Sequence, residues 1–159
     1  MWRRARRVLA QRWDVLGVIA VGGALGSGGR WWLATVFPHA PGTFPWATFW
    51  TNVSGGLALG VLMVFVTEVW SASRYLRPFL AVGVLGGFTT FSTYMTDTRA
   101  LLVAKQPVPA GAYLFGTLFA GLLAVWAAIA LSRTLVGLPS RRSERSGALG
   151  ELADREEGR

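Results

Sequence analysis

The sequence predicts an all-α membrane protein of four transmembrane helices, the third broken in mid-membrane. Two observations carry that expectation. Hydrophobic residues make up 52% of the 159-residue chain and charged residues only 15%, and the apolar residues gather into four stretches long enough to cross roughly 30 Å of hydrocarbon at about 1.5 Å per residue. The third stretch also carries, near its middle, a run of glycines and hydroxyl residues that a plain lipid-facing helix has no use for.

The four stretches run approximately over 15–37, 46–70, 78–104 and 109–136. Turn chemistry separates them: Pro38, Pro41, Gly42 and Pro45 after the first, Ser71 and Ser73 after the second, Pro107 and Pro109 before the fourth. Connections this short make antiparallel neighbours. Trp13, Trp31, Trp32, Trp46, Trp50 and Trp70 fall mostly near the proposed ends, where an indole keeps its N–H in the wet interface and its ring in lipid. Residues 1–138 thus read as one membrane domain. Residues 139–159 read as a disordered charged C-terminal tail, too poor in apolar side chains to fold alone. The opening arginines before an apolar run resemble a signal peptide, but apolar character resumes after Arg30 with no clear small-residue cleavage site, which favours a retained helix.

The net charge of +8 does not indicate nucleic acid, since no RNA-binding signature accompanies it. Of the sixteen lysines and arginines, thirteen precede the first span, lie in the second connection or fall from Arg133, at the end of the fourth, onward. Only Arg30, Arg99 and Lys105 do not. A positive-inside bias of this kind predicts an inner (plasma) membrane protein with both termini cytoplasmic. The absence of cysteine removes disulfides and thiolate metal sites.

Two polar patterns carry chemistry. In the second span Thr48, Asn52, Gly56 and Gly60 recur every four residues along one ridge, which suits close backbone approach and places an amide either across a helix interface or on an ion path. In the third, Gly83-Val84-Leu85-Gly86-Gly87-Phe88-Thr89-Thr90-Phe91-Ser92-Thr93-Tyr94 concentrates residues that disfavour a helix interior, glycine by roughly 1 kcal/mol relative to alanine. Irregular backbone at membrane depth is tolerated where it is buried in protein or lines a water-filled cavity, and its freed carbonyls can then ligate cations.

These segments, with Gly22-Gly23-Ala24-Leu25-Gly26 and Arg30 in the first span and Thr51-Asn52-Val53-Ser54-Gly55 in the second, resemble the Fluc (CrcB) family of fluoride channels. The resemblance implies an antiparallel, dual-topology type dimer with two fluoride pores. It also implies a structural sodium ion, not transported, held at the dimer axis by the backbone carbonyls of Gly86 and Thr89. It places Asn52, Phe91, Tyr94 and Thr117 in the fluoride pore. Thr93 joins them as a nearby hydroxyl donor, and Arg30 is expected either to snorkel to the interface or to face an aqueous vestibule where its charge concentrates anions. Tyr94 stands where the family usually has phenylalanine, keeping the ring edge that faces an anion and adding an O–H donor. The implied role is passive fluoride export that reduces toxicity.

Other classes fit less well. A small multidrug-type transporter needs an intramembrane carboxylate for proton coupling, whereas Glu68 sits at a span end and Asp97 lies past the break. A non-transporting scaffold explains the small-residue ridges but not the break. An enzyme lacks a nucleophile–base pair, and the single histidine, His39, reads as a solvated loop residue between prolines. A subunit inserting both ways needs balanced charge, so the bias seen here raises pairing with an oppositely oriented paralogue beside pairing with itself. Tags on the two termini should both be shielded in intact cells. Equal labelling from both faces would contradict a fixed orientation.

Overall fold

The computed structural model describes residues 2–40, 42–69 and 74–137, with side chains from Trp13 onward. The tail expected over 139–159, and Trp70, Ser71 and Ser73, lie outside the described residues. All regular structure described is helical. The first helix, α1, is Trp2–Val36, so it starts well ahead of the Val15 expected. Its opening turns are rich in arginine, alanine and leucine and free of proline, which suits a helix regardless of charge. The second helix, α2, is Trp46–Val64 and runs on through a wider π turn, Phe65–Val69.

The third stretch is composite. A π-wound segment, Pro78–Leu85, leads into α3, Gly86–Phe88. Thr89 and Thr90 are extended, and α4, Phe91–Val103, follows. The last helix, α5, is Pro107–Leu135, with Pro107 and Pro109 in the first turn, where a missing N–H costs nothing. Between α4 and α5 the chain turns through Lys105 at φ 57°. There Lys105 N donates to Leu102 O and Gln106 N to Leu101 O, each at 3.0 Å, the paired bonds that close a helix C-terminus.

Three helical stretches, Trp46–Glu68, Pro78–Val103 and Pro107–Leu135, are long and apolar enough to cross a membrane. The sequence reading expected four such spans. In α1 the length suffices, but six glycines, Ser27 and Arg30 dilute its apolar character.

In the bundle, α2 packs along α5, α1 along the π-wound segment and α3, and α4 against α5. Glycine permits the α1 contact: a Cβ on Gly83 would sit 2.8 Å from the Ile19 carbonyl oxygen and 2.9 Å from Gly22 Cα. The four-residue ridge of α2 divides its labour. Gly60 meets the α5 backbone, where a Cβ would lie 2.6 Å from Val125 O, while Thr48 and Asn52 hydrogen-bond toward the third stretch. An aromatic and aliphatic core of Tyr94, Leu101, Ala110 and Tyr113, flanked by Phe44 and Phe49, joins α4 to α5.

The two ends differ in charge. At one, Asp14 accepts from Tyr75 Oη at 2.7 Å and from Arg74 Nη2 at 3.1 Å, and the Tyr75 hydrogen bond holds the exposed Asp14 carboxyl below its ordinary value. At the same end Arg133 Nε donates to both Glu68 carboxylate oxygens at 3.0 and 3.1 Å. Gly83→Ala should drive the α1 backbone away from the π-wound segment. The expected loss is about 1–3 kcal/mol, the usual cost of overpacking, read as a lower melting temperature in detergent. A melting temperature equal to the parent's would contradict so close a packing.

Candidate functional site

The extended pair Thr89 (φ −72°, ψ 156°) and Thr90 (φ −148°, ψ 124°) frees backbone groups that a continuous helix would pair, and the neighbours take them up. Asn52 does so from α2: its Nδ2 donates to Thr90 O at 3.1 Å and its Oδ1 accepts from Thr90 N at 2.9 Å. A side-chain amide matches both halves of a peptide group, so one residue satisfies a donor and an acceptor together. Thr90 in turn caps α4, its Oγ1 accepting from Thr93 N at 3.1 Å. Upstream, Leu85 O accepts from Thr89 N at 3.0 Å and from Thr89 Oγ1 at 2.9 Å. Gly87 O accepts from Arg30 Nε at 3.2 Å and Ser27 Oγ at 3.3 Å.

Three carbonyls of the break, those of Leu85, Gly87 and Thr90, therefore receive side-chain hydrogen bonds. Among the described residues no side chain donates to Gly86 O or Thr89 O, the two carbonyls expected to hold a cation. Both residues line a cavity of about 440 Å³. Two hard carbonyl oxygens without a side-chain donor fit an alkali cation, though two alone do not complete its shell.

The same cavity is lined by Asn52, Phe91, Tyr94 and Thr117, so the structure brings together every expected pore residue except Thr93. Phe91 is 75% exposed in the isolated chain, its ring centroid 6.0 Å from that of Tyr94. Thr117 is buried on α5, and its hydroxyl has no partner among the described residues. Tyr94 departs from the expectation of an added pore donor. Its O–H donates to Leu114 O on α5, because the phenol reaches a helix backbone that a phenylalanine could only touch.

Thr93 lies in a second cavity of about 300 Å³, with Arg30, Ser27, Thr48 and Thr51. Thr90 lines both cavities, so the Asn52–Thr90 pair stands where they meet. Arg30 does border a cavity, as a vestibule residue should, but its Nε is committed to the Gly87 carbonyl.

The sequence reading missed a buried polar cluster beside the second cavity. Asp97 Oδ2 accepts from Thr48 Oγ1 at 2.7 Å and Tyr113 Oη at 3.3 Å, and His39 Nε2 lies 3.9 Å from Asp97 Oδ1. Asp97 is only 8% exposed, so it is a carboxylate inside the third apolar stretch rather than a residue merely past the break. His39, a loop residue as expected, faces it. The signal was present: Thr90, Tyr94, Asp97 and Leu101 repeat at the three-and-four spacing of one helix face, and Thr48 precedes Asn52 by one turn.

Three membrane-capable helices among the described residues, with two cavities whose largely apolar linings carry Asn52 and several hydroxyl side chains, define a multi-pass membrane protein of the helical-bundle class. Comparison with known proteins gives the particular family. The family model for CrcB-like protein, Camphor Resistance (CrcB), matches residues 17–129, and the chain belongs to that family. It is 46% identical over 136 residues to Fluoride-specific ion channel FluC 3 of Streptomyces avermitilis, an alignment covering 86% of this chain and 67% of the relative. It is 47% identical over 127 residues to a FluC 2 of Nocardia farcinica, covering 80% and 91%, and 42% identical over 132 residues to a FluC 2 of Thermobifida fusca, covering 83% and 98%.

Asn52→Leu, similar in size but unable to hydrogen-bond, should leave the Thr90 N–H and C=O without that partner. The expected loss is about 1–3 kcal/mol for a stranded buried group, seen as a lower melting temperature, with Asn52→Asp intermediate because it keeps the acceptor alone. An unchanged melting temperature in Asn52→Leu would show that the clamp does not hold the break.

Proposed function

We propose that this chain is a fluoride-selective ion channel of the plasma membrane, passing fluoride down its electrochemical gradient, which in a cell with a negative interior means export. The observation that carries the reading is the cavity at the break, where Asn52, two aromatic side chains and Thr117 converge, the Thr117 hydroxyl being buried and without a partner among the described residues. Fluoride is small and tightly hydrated. A path for it must replace water with fixed donors yet hold the ion weakly enough to release it. The second N–H of Asn52 Nδ2 is a donor of this kind, as is the Thr117 hydroxyl, and the Phe91 and Tyr94 ring edges add weak positive potential without a fixed charge. The hydroxyl-lined cavity holding Thr93 and Arg30 provides the aqueous approach. The names of the 40–50% identical relatives support fluoride as the ion.

The working unit is a dimer of two oppositely oriented subunits. The support is physical: Gly86, Thr89 and the exposed Phe91 border an open cavity of one chain, and irregular backbone cannot face lipid. A second subunit would cover it and add its own pair of carbonyls. Gly86 and Thr89 would then hold a structural sodium ion, which supplies a fixed positive charge that offsets the gathered carbonyl dipoles. The strong charge bias supports a fixed orientation with both termini cytoplasmic, and hence a paralogue as partner beside self-pairing.

Asp97 favours one alternative, a proton-coupled exchanger, because a carboxylate within a span is the usual proton carrier. Liposomes reconstituted with the chain, alone or with an oppositely oriented paralogue, should release fluoride rapidly and chloride not measurably. Phe91→Ala should slow fluoride release at least tenfold while the protein stays folded. Equal release of both anions, or fluoride release that requires a proton gradient, would overturn the channel reading.

A further inference from the structure

Arg30 is the one cation that the described structure sets against the break, and the contact it makes is specific. Its Nε donates to Gly87 O at 3.2 Å, and Ser27 Oγ, nearly one turn earlier on α1, reaches the same oxygen at 3.3 Å. α1 also comes close at Gly87, where a Cβ would meet Gly23 Cα at 3.0 Å. Two donors from one helix face thus converge on a single carbonyl, next in sequence to Gly86 and two residues before Thr89. A carbonyl engaged by two donors is withdrawn from other ligands, whereas Gly86 O and Thr89 O receive no side-chain donor among the described residues.

We infer that Arg30 is a positioning residue: with Ser27 it pins the Gly87 carbonyl to α1, fixing the peptide planes of the break so that the neighbouring carbonyls and the Asn52–Thr90 pair keep their places. Its hydrogen bond, more than its charge, is what conduction needs. This rests on the channel reading for its functional consequence, but the pinning itself is a property of the fold. A purely electrostatic vestibule residue needs a positive charge anywhere in the cavity. A pinning residue needs an N–H at the end of a five-atom reach.

Three substitutions separate the two demands. In Arg30→Gln, Nε2 occupies the same place along the side chain as arginine Nε and keeps the donor without the charge. Arg30→Lys keeps the charge but has carbon at that place, and Arg30→Met has neither donor nor charge. Each variant, purified as the folded dimer, is measured for fluoride efflux from liposomes and for melting temperature. The expected order is parent and Gln within about threefold of one another in efflux, with Lys and Met at least tenfold slower, and the same order in melting temperature. Adding Ser27→Ala to Arg30→Gln should remove the rescue. Lys equal to or better than Gln in efflux, or Gln melting no higher than Met, overturns the inference. If the parent itself passes no fluoride, the channel reading fails, while the melting order of Gln, Lys and Met still decides whether Arg30 pins Gly87.

Discussion

The structure depends on one paired interaction, the two hydrogen bonds between the Asn52 side chain and the Thr90 peptide group. An extended pair of residues in an otherwise apolar stretch exposes donors and acceptors that lipid cannot satisfy, and each one left unpaired is costly. A side-chain amide delivered from α2 supplies both complements at once. The break can then exist without water or an unwound neighbour, and α4 can restart at Phe91 with its own cap from Thr90.

Other features follow from holding the break open. α1 must approach closely enough for Ser27 and Arg30 to reach Gly87 O, which is why its contact face is glycine and why it is less apolar than the other helices. α5 must offer a surface to which the second aromatic position can be tied, and it does so through Leu114 O, bonded by the Tyr94 hydroxyl. Further along the same face of α4, Asp97 binds Thr48 of α2 and Tyr113 of α5. Three helices are thereby linked by one carboxylate beside the cavity that holds Arg30 and Thr93. The polar groups within the bundle are in this sense both its fastening and the lining of its cavities.

Much of this was legible in the residues. The helical stretches, three of them apolar enough to span, and an interruption within the run from Gly83 to Tyr94 follow from hydropathy and from glycines and hydroxyls where lipid would not have them. The gathering of Asn52, Phe91, Tyr94 and Thr117 was expected from the family resemblance, and the family itself is shown. What was not legible depended on side-chain reach between helices. Tyr94 reads as a pore donor until Leu114 O is seen to take its proton. Arg30 reads as a free vestibule charge until Gly87 O is seen beside it. Asp97 reads as a residue beyond the action because its partners, Thr48 and Tyr113, are 49 and 16 positions away in sequence. The start of α1 at Trp2 was missed because charge was taken as the end of a span, whereas arginine is a good helix former.

The central claim is that fluoride passes through this fold passively, along cavities joined at the Asn52–Thr90 pair, even though a carboxylate lies buried beside them. The most direct test is the reversal potential of currents through the reconstituted protein in a planar bilayer. Passive fluoride conduction predicts a reversal potential that moves by about 59 mV for each tenfold change in the fluoride gradient. It should not respond to a chloride gradient or to a difference in pH across the membrane. A reversal potential that follows the pH difference would contradict the account and make Asp97 the carrier of a coupled proton.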